Sequence, residues 1–385
     1  MTDHKTRKKR ARELGLPFPG VTGPANAITD VGGVKVGYKT LIEGDGPLVV
    51  GEGPVRTGVT AILPRGHAKQ LSPVWAGMEN FNGNGELTGS HWVQQAGYFY
   101  GPICITNSHS VGAVHEGVIR WVTEKYYEEV KELFWILPVV GETFDGILND
   151  INGFHVRPEH AIEAISSAKS GPIAEGNVGG GTGMRCYAHK GGNGTSSRRL
   201  QIGANEYTVG AFVQANFGRL EDLTVLGAPI GRELAAESST SAANLGAGHG
   251  SIIVVIATDI PLGPKQLDRM AKRVTLGLGR TGTPGQQQSG DVFIAFSTAE
   301  QTIAPKPSNA LVTPTIKDDE EPFDTLTCLV EEQMTPVFEA VVQSTEEAII
   351  NAMIAAEDMT GRDGNFLPAL DQSRLMTLIK KYAII

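Results

Sequence analysis

The sequence predicts a mixed fold, α+β or layered α/β, and three observations carry that reading. Ser251 to Ala257 is an unbroken apolar run (SIIVVIA), the pattern of a strand buried on both faces. Lys265 to Gly279 places Leu267, Met270, Val274 and Leu278 on one helical side, with Lys265, Asp268, Arg269 and Lys272 mostly off it. Strand and helix signals alternate irregularly and no internal repeat is present, so a regular βαβ array is not expected.

The other elements follow in chain order. Ala25 to Tyr38 is a turn-rich approach to short strands, with Val34 and Val36 alternating. Val59 to Pro64 reads as a strand ended by its proline. Residues 76–92 hold glycines and Asn80, Asn82 and Asn84 with little apolar pattern, which predicts a loop. Ile103 to Thr106 is a short buried strand. From Val111 to about Val130 a helix is expected, on Val114, Val118, Trp121 and Val122, with Tyr126 further on. Phe134 to Val140 reads as a strand, and Pro158 to Ala168 as a helix opened by its proline. Gly176 to Gly183 is the most glycine-dense segment. It lacks the Gly-Lys-Ser/Thr of a phosphate loop and the GxGxxG of a dinucleotide site, so it reads as a turn packed close to an active site. Tyr207 to Ala215 is a strand ending at Asn216. Ala228 to Gly250 is a polar, small-residue linker, Asp291 to Phe296 a strand, and Pro305 to Pro322 a surface loop. Pro336 to Ala356 is a long helix, and a short helix follows it.

Composition narrows the function classes. The 385 residues suffice for one large core or two modest ones. A hydrophobic content of 41% with 19% charged residues is that of an ordinary soluble globular protein. The 48 glycines exceed the usual share of roughly 7%, which implies many tight turns and close backbone approaches. A net charge of −9 argues against a nucleic-acid partner. The basic cluster Lys5, Arg7, Lys8, Lys9, Arg10 and Arg12 reads as a solvated, mobile tail over residues 1–20, without the apolar region of a signal peptide. No window of ~20 apolar residues predicts a membrane span. Cys104, Cys186 and Cys328 are odd in number and far apart, which fits buried reduced thiols in the cytoplasm. No ligand spacing such as HExxH suggests a metal, and no cofactor is expected.

The junction Gly250-Ser251 carries the chemistry. A hydroxyl residue follows a glycine where a flexible segment meets a rigid strand. A strained peptide there would expose its carbonyl to the Ser251 hydroxyl; attack gives an ester that water hydrolyses, leaving Ser251 with a free α-amine. That amine has an ordinary pKa of about 7.7–8.0 and can serve as general base for its own hydroxyl. Gly-Ser before a strand is also common without any such chemistry.

The segment GAGHGSIIVVIATD (residues 246–259) resembles the processing site of the P1 aminopeptidases, peptidase family S58, with its L-aminopeptidase/D-esterase and β-aminopeptidase members. Further matches occur in order: NAITDVGGVKVG (26–37), TGVT (57–60), NGNGELTG (82–89), TNSHSVG (106–112), GETFDG (141–146), NVGGGTG (177–183) and SGD (289–291). The resemblance implies a four-layer αββα sandwich, similar to amino-terminal-nucleophile hydrolases but connected differently. It implies a single catalytic domain over 21–385, self-cleaved into an α-chain 1–250 and a β-chain 251–385, assembled as a homo-oligomer of αβ pairs. Small peptides, amino-acid amides or esters are the implied substrates.

By the same resemblance Ser251 is the nucleophile, Asn216 (in QANFG, 214–218) donates to the oxyanion, and Ser289 and Asp291 orient the Ser251 amine. Glu142 is the candidate for the substrate's amino group. Phe144 stands where the family often has tyrosine, so a phenol that could contact substrate is missing. His249 is unusual beside the cut, where small residues are commoner. Two rival readings stay open: an acyltransferase like the self-cleaving ornithine acetyltransferases, which use threonine at the cut, and a non-catalytic binding member of the fold.

Overall fold

The computed structural model describes residues 8–131, 135–237, 250–300 and 325–385. Among these the strands are β1 (Lys35–Glu43), β2 (Val55–Leu63), β3 (Val74–Asn80), β4 (Tyr98–Phe99), β5 (Ile103–Asn107), β6 (Val139–Thr143), β7 (Arg185–Cys186), β8 (His189–Lys190), β9 (Gly192–Ile202), β10 (Asn205–Asn216), β11 (Gly250–Thr258) and β12 (Ser289–Ser297). A last two-residue pair joins Met359–Thr360 to Phe366–Leu367. The helices are α1 (Ser90–Ala96), α2 (Val111–Lys125), α3 (Tyr127–Val130), α4 (Pro158–Ser166), α5 (Ile230–Glu237), α6 (Pro264–Arg280), α7 (Met334–Ala355) and α8 (Gln372–Lys381).

The apolar run in β11 organises the layers. Alternate side chains of a strand leave on opposite faces. Ile252, Val254 and Ile256 pack with Leu267, Val341 and Leu375 from α6, α7 and α8. Ile253, Val255 and Ala257 pack with Ile62, Ile105 and Val139 of a second sheet. On that sheet's far side Val59, Ala61 and Cys104 meet Val114, Val118 and Ile165 of α2 and α4. The order is therefore helix, sheet, sheet, helix: an α+β, four-layer αββα sandwich.

One sheet runs β1-β2-β5-β6 and the other β4-β3-β12-β11-β10-β9. The pairs β5/β6 and β11/β12 are parallel, each joined through a helix, as parallel neighbours require. Two registers position the site. Asn216 at the end of β10 lies opposite Ser251 at the start of β11. On the other flank Gly250, Ser251 and Ile252 pair with Ser289, Gly290 and Asp291 of β12.

Several expectations need correction. Residues 76–92 are not one loop, since β3 and α1 occupy much of the segment. β3 escapes the apolar pattern because Gly77 lies where an added Cβ would stand 2.1 Å from the Asp268 nitrogen, so α6 sits directly on the strand. The strand expected at 134–140 is β6, displaced to 139–143; Phe134 lies outside the described residues. The expected helix at 111–130 breaks at Tyr126, whose hydroxyl donates to the Ala68 carbonyl at 3.1 Å. The linker from Ala228 contains α5, and residues 238–249, His249 included, lie outside the described residues, as does the loop at 305–322. β9 is a strand the apolar pattern did not reveal, because its buried members are Asn193, Thr195, Ser196, Ser197 and Arg198.

The basic segment also departs from a solvated tail where it is described. Arg10 donates to the carbonyls of Ala25, Asn26 and Thr195 and pairs with Glu175 at 2.7 Å. Arg12 reaches Glu347 at 3.0 Å. Glu347 in turn holds the buried Arg198 at 2.7 Å. Lys5 and Arg7 lie outside the described residues. Of the cysteines, Cys104 and Cys186 are buried and free, whereas Cys328 is exposed. No helix among the described residues is long and apolar enough to cross a membrane.

Candidate active site

A pocket of about 440 Å³ opens at one end of the cleft between the sheets, lined by Gly250, Ser251, Asn216, Glu142 and Phe144 together with Ser108 and Arg185. Its place follows from the strands. Ser251 shares the face of Ile253 and Val255, which is the inter-sheet face, and it stands where β11 begins. Glu142 stands near the end of β6 in the facing sheet, one residue after Gly141, whose bare Cα lets Ile253 lie close. The two sheets are also bridged by polar groups just inside the pocket. Gln214 Nε2 donates to Thr143 Oγ1 at 2.8 Å and to the Thr106 carbonyl at 3.1 Å.

Ser251 Oγ donates to the carbonyl of Gly250 at 2.7 Å and accepts from the Gly290 amide at 3.3 Å. The hydroxyl of Ser251 thus lies against the carbonyl of the preceding peptide. Gly250 is required sterically: a Cβ there would stand 2.2 Å from the Asn216 carbonyl oxygen and 2.7 Å from Phe217 Cα.

The Asn216 amide is held at both ends. Its Oδ1 accepts from the Arg185 amide at 2.8 Å, and its Nδ2 donates to the Phe144 carbonyl at 2.9 Å. One Nδ2 proton remains available on a group that lines the pocket. Phe144 serves Asn216 through its backbone; the residue is 46% exposed at the pocket wall and the tip of its ring lies over Gly146.

Ser289 and Asp291 stand behind Ser251 rather than on the pocket wall. Ser289 Oγ donates to Asp291 Oδ1 at 2.5 Å, and Asn82 Nδ2 donates to Asp291 Oδ2 at 3.0 Å. Burial pushes the Asp291 carboxyl up to about 6, against hydrogen bonds from Ser289, the Ile252 amide and Asn82. Across the pocket, Glu142 Oε1 accepts from the Glu86 amide at 3.0 Å and Oε2 accepts from Ser108 Oγ. A buried carboxylate facing a pocket suits a cationic group on a ligand.

The residue reading of the chain missed Asn82, Ser108 and Arg185. Asn82 and Ser108 do fall inside the matched stretches 82–89 and 106–112, which was their only signal. Arg185 follows the glycine-rich turn at 179–181, which is wedged between the sheets: a Cβ on Gly180 would stand 2.3 Å from Gln214 Oε1 and 2.6 Å from the Ile105 carbonyl oxygen. Among the described residues no group of three His, Cys, Asp or Glu side chains is placed to hold a metal ion.

The αββα sandwich with a pocket at the end of its paired sheets has the architecture of the Ntn-type fold. A solved structure of an L-aminopeptidase D-Ala-esterase/amidase from Ochrobactrum anthropi, described as a prototype of the serine aminopeptidases and a variant of the Ntn hydrolase fold, superposes with a TM-score of 0.87 at 47% identity; the match covers 98% of this chain and 99% of that one. The family model of peptidase family S58 matches residues 26–367, and the chain belongs to that family. It is 49% identical over 383 residues to the β-peptidyl aminopeptidase BapA of Sphingosinicella microcystinivorans, covering 97% of this chain and 92% of the relative. A Burkholderia sp. β-aminopeptidase superposes with a TM-score of 0.86 at 40% identity, covering 97% and 99%. The chain is an aminopeptidase, which removes the reading as a non-catalytic binding protein.

Proposed function

We propose that this aminopeptidase is made as a precursor that cuts itself between Gly250 and Ser251, and that Ser251 then acts as its nucleophile. The observation that carries the reading is the Ser251 hydroxyl at 2.7 Å from the Gly250 carbonyl oxygen, in the pocket where Asn216 and Glu142 converge. Attack of Oγ on the Gly250 carbonyl carbon forms a tetrahedral centre whose C–N bond then breaks. The hydroxyl proton passes to the departing Ser251 nitrogen, and water hydrolyses the resulting ester. Residues 1–250 leave as a carboxylate chain end, and 251–385 begin with a free amine.

In turnover the Ser251 amine takes the proton of its own hydroxyl, as in other nucleophile–amine pairs. Asn216 donates its remaining Nδ2 proton to the oxyanion, a contribution typically worth ~3–4 kcal/mol of barrier. Asp291, with Ser289 and Asn82 fixing its two oxygens, orients the amine. Glu142, held by Ser108 and the Glu86 amide, receives the ammonium of the substrate. The substrates are small amino-terminal residues on peptides, amides or esters. The names of the relatives support α- and β-amino residues alike, and serine at the cut argues against the threonine-dependent acyltransferase reading. A cytoplasmic homo-oligomer of αβ pairs completes the proposal.

Mass spectrometry of purified protein tests it. Wild type yields two chains split before Ser251, while Ser251→Ala stays whole. A folded wild-type chain that remains at full length and hydrolyses aminoacyl p-nitroanilides overturns the proposal.

A further inference from the structure

We infer that Lys190 is a positioning residue that acts on the oxyanion through one peptide group and the Asn216 side chain. The inference rests on the oxyanion role proposed for Asn216 and adds a group that touches neither Ser251 nor the pocket.

Lys190 ends β8 and is fully buried, at 0% exposure. Lysines are almost never fully buried without a charged partner. No carboxylate of the described residues lies within ion-pair distance of this one. Its ammonium donates instead to the Met184 carbonyl at 2.6 Å and the Gly191 carbonyl at 3.2 Å. The Met184 carbonyl also accepts from the Gly191 amide at 2.9 Å. This carbonyl belongs to the same peptide group as the Arg185 N–H, which donates to Asn216 Oδ1 at 2.8 Å.

The result is a directed chain: Lys190 Nζ–H to Met184 C=O, Arg185 N–H to Asn216 Oδ1, and Asn216 Nδ2–H towards the pocket. Every donor points the same way. Each hydrogen bond polarises the next in such a chain, by perhaps ~10–30% per bond in a low-dielectric interior. An N–H donor on the Met184 oxygen, the more so when the amine is protonated, makes the Arg185 N–H a stronger donor, and that makes the Asn216 NH₂ a stronger donor in turn. It also fixes which end of the Asn216 amide faces the pocket, because only Oδ1 can accept from Arg185. Burial pushes the Lys190 ammonium down to about 7, with Cys186 and Asp145 acting against it. An amine kept at this cost beneath an active site, with no solvent contact, has its function in the bonds it makes.

A purely structural role, tying the β7–β8 turn together, uses the same two carbonyl contacts. A double-mutant cycle separates the two. Wild type, Asn216→Ala, Lys190→Met and the double variant are assayed on a β-alanyl p-nitroanilide, with rates expressed per mole of processed β-chain counted by mass spectrometry. Lys190→Met lowers kcat about fivefold or more and leaves KM within twofold. On the Asn216→Ala background the same change costs less than twofold, because the chain no longer ends in a donor. An equal loss on both backgrounds overturns the inference while leaving the Asn216 reading intact. Wild-type kcat in Asn216→Ala overturns the Asn216 reading itself, and the inference falls with it.

If Asn216→Ala or Lys190→Met leaves no processed chain, the readout moves to the Arg185 amide proton by NMR, in the uncleaved Ser251→Ala chain with and without Lys190→Gln. An upfield shift supports the chain of hydrogen bonds, and an unchanged resonance overturns it. Failure of both Lys190 variants to fold assigns the residue to stability and also overturns the inference.

Discussion

Replacing Gly250 by alanine tests the geometry of the proposed cut most directly. The added methyl would stand 2.2 Å from the Asn216 carbonyl oxygen, 2.7 Å from Phe217 Cα and 3.1 Å from the Asn216 carbonyl carbon. These atoms are backbone at the end of β10 and cannot rotate away. Normal contact therefore requires the strand ends to part by about 1 Å. Overpacking of this kind costs roughly 1–3 kcal/mol of stability, which a large core tolerates. The effect on chemistry is larger. Moving the Gly250 carbonyl by that distance takes it off line from Ser251 Oγ, and a ~1 Å misplacement costs on the order of 100-fold in rate. Asn216 moves with the same strand. We expect Gly250→Ala to fold, with a Tm lowered by a few degrees, and to cut itself about 100-fold more slowly. The assay is a time course of intact mass on freshly purified precursor. Cleavage at the wild-type rate in Gly250→Ala would refute the argument that close approach of β10 sets the attack geometry.

Three further outcomes are expected. Glu142→Gln removes the charge proposed to meet the substrate ammonium, keeps the bond from the Glu86 amide and reverses the one to Ser108, whose hydroxyl then accepts from the new amide; kcat/KM for aminoacyl amides falls about 10- to 100-fold, and steady-state kinetics with an N-acetylated control substrate checks that the loss follows the amine. The Asp291 carboxyl sits at about 6 in the uncleaved chain, above its ordinary 3.8, so the folded state binds this proton more tightly and the associated stability is lost as pH rises through about 6. The proposed cleavage would set an ammonium beside Asp291 and remove that penalty; relative to uncleaved Ser251→Ala, cleaved wild type is then expected to gain up to about 3 kcal/mol between pH 4 and pH 7, and a pH-independent difference in urea unfolding contradicts it. Glu347→Ala leaves Arg198 buried without its carboxylate and costs about 3–5 kcal/mol, read as a shift in urea midpoint at unchanged slope.

Much of the helix layer and half of the main sheet could be read from local pattern. β11, α6, β12 and α7 carry long apolar runs or stripes, and such patterns survive whatever the strand pairs with. β3 and β9 could not be read that way. β3 is shaped by α6 lying on Gly77, and β9 is a polar strand whose Thr195, Ser197 and Arg198 are satisfied by the amino-terminal segment and by α7. Those partners lie more than a hundred residues away, so the residues look like a surface loop until the contacts are made. Arg10 and Arg12 look like part of a solvated tail for the same reason, since their carboxylates Glu175 and Glu347 are also far along the chain.

The sequence by itself determined that a small hydroxyl residue follows a glycine at the head of a strand buried on both faces, and the ordered stretches from 26 to 291 tied that junction to a family. Both are local facts: composition over a few residues decides them. Only the tertiary structure decided what surrounds Ser251. The register of β10 and β12 against β11 puts Asn216 and Gly290 beside it, the facing sheet brings Glu142, and the turn after Gly181 sends the Met184–Arg185 peptide to orient Asn216 with Lys190 beneath. Register and sheet packing are set by many weak contacts between distant segments, and no single stretch of sequence records them.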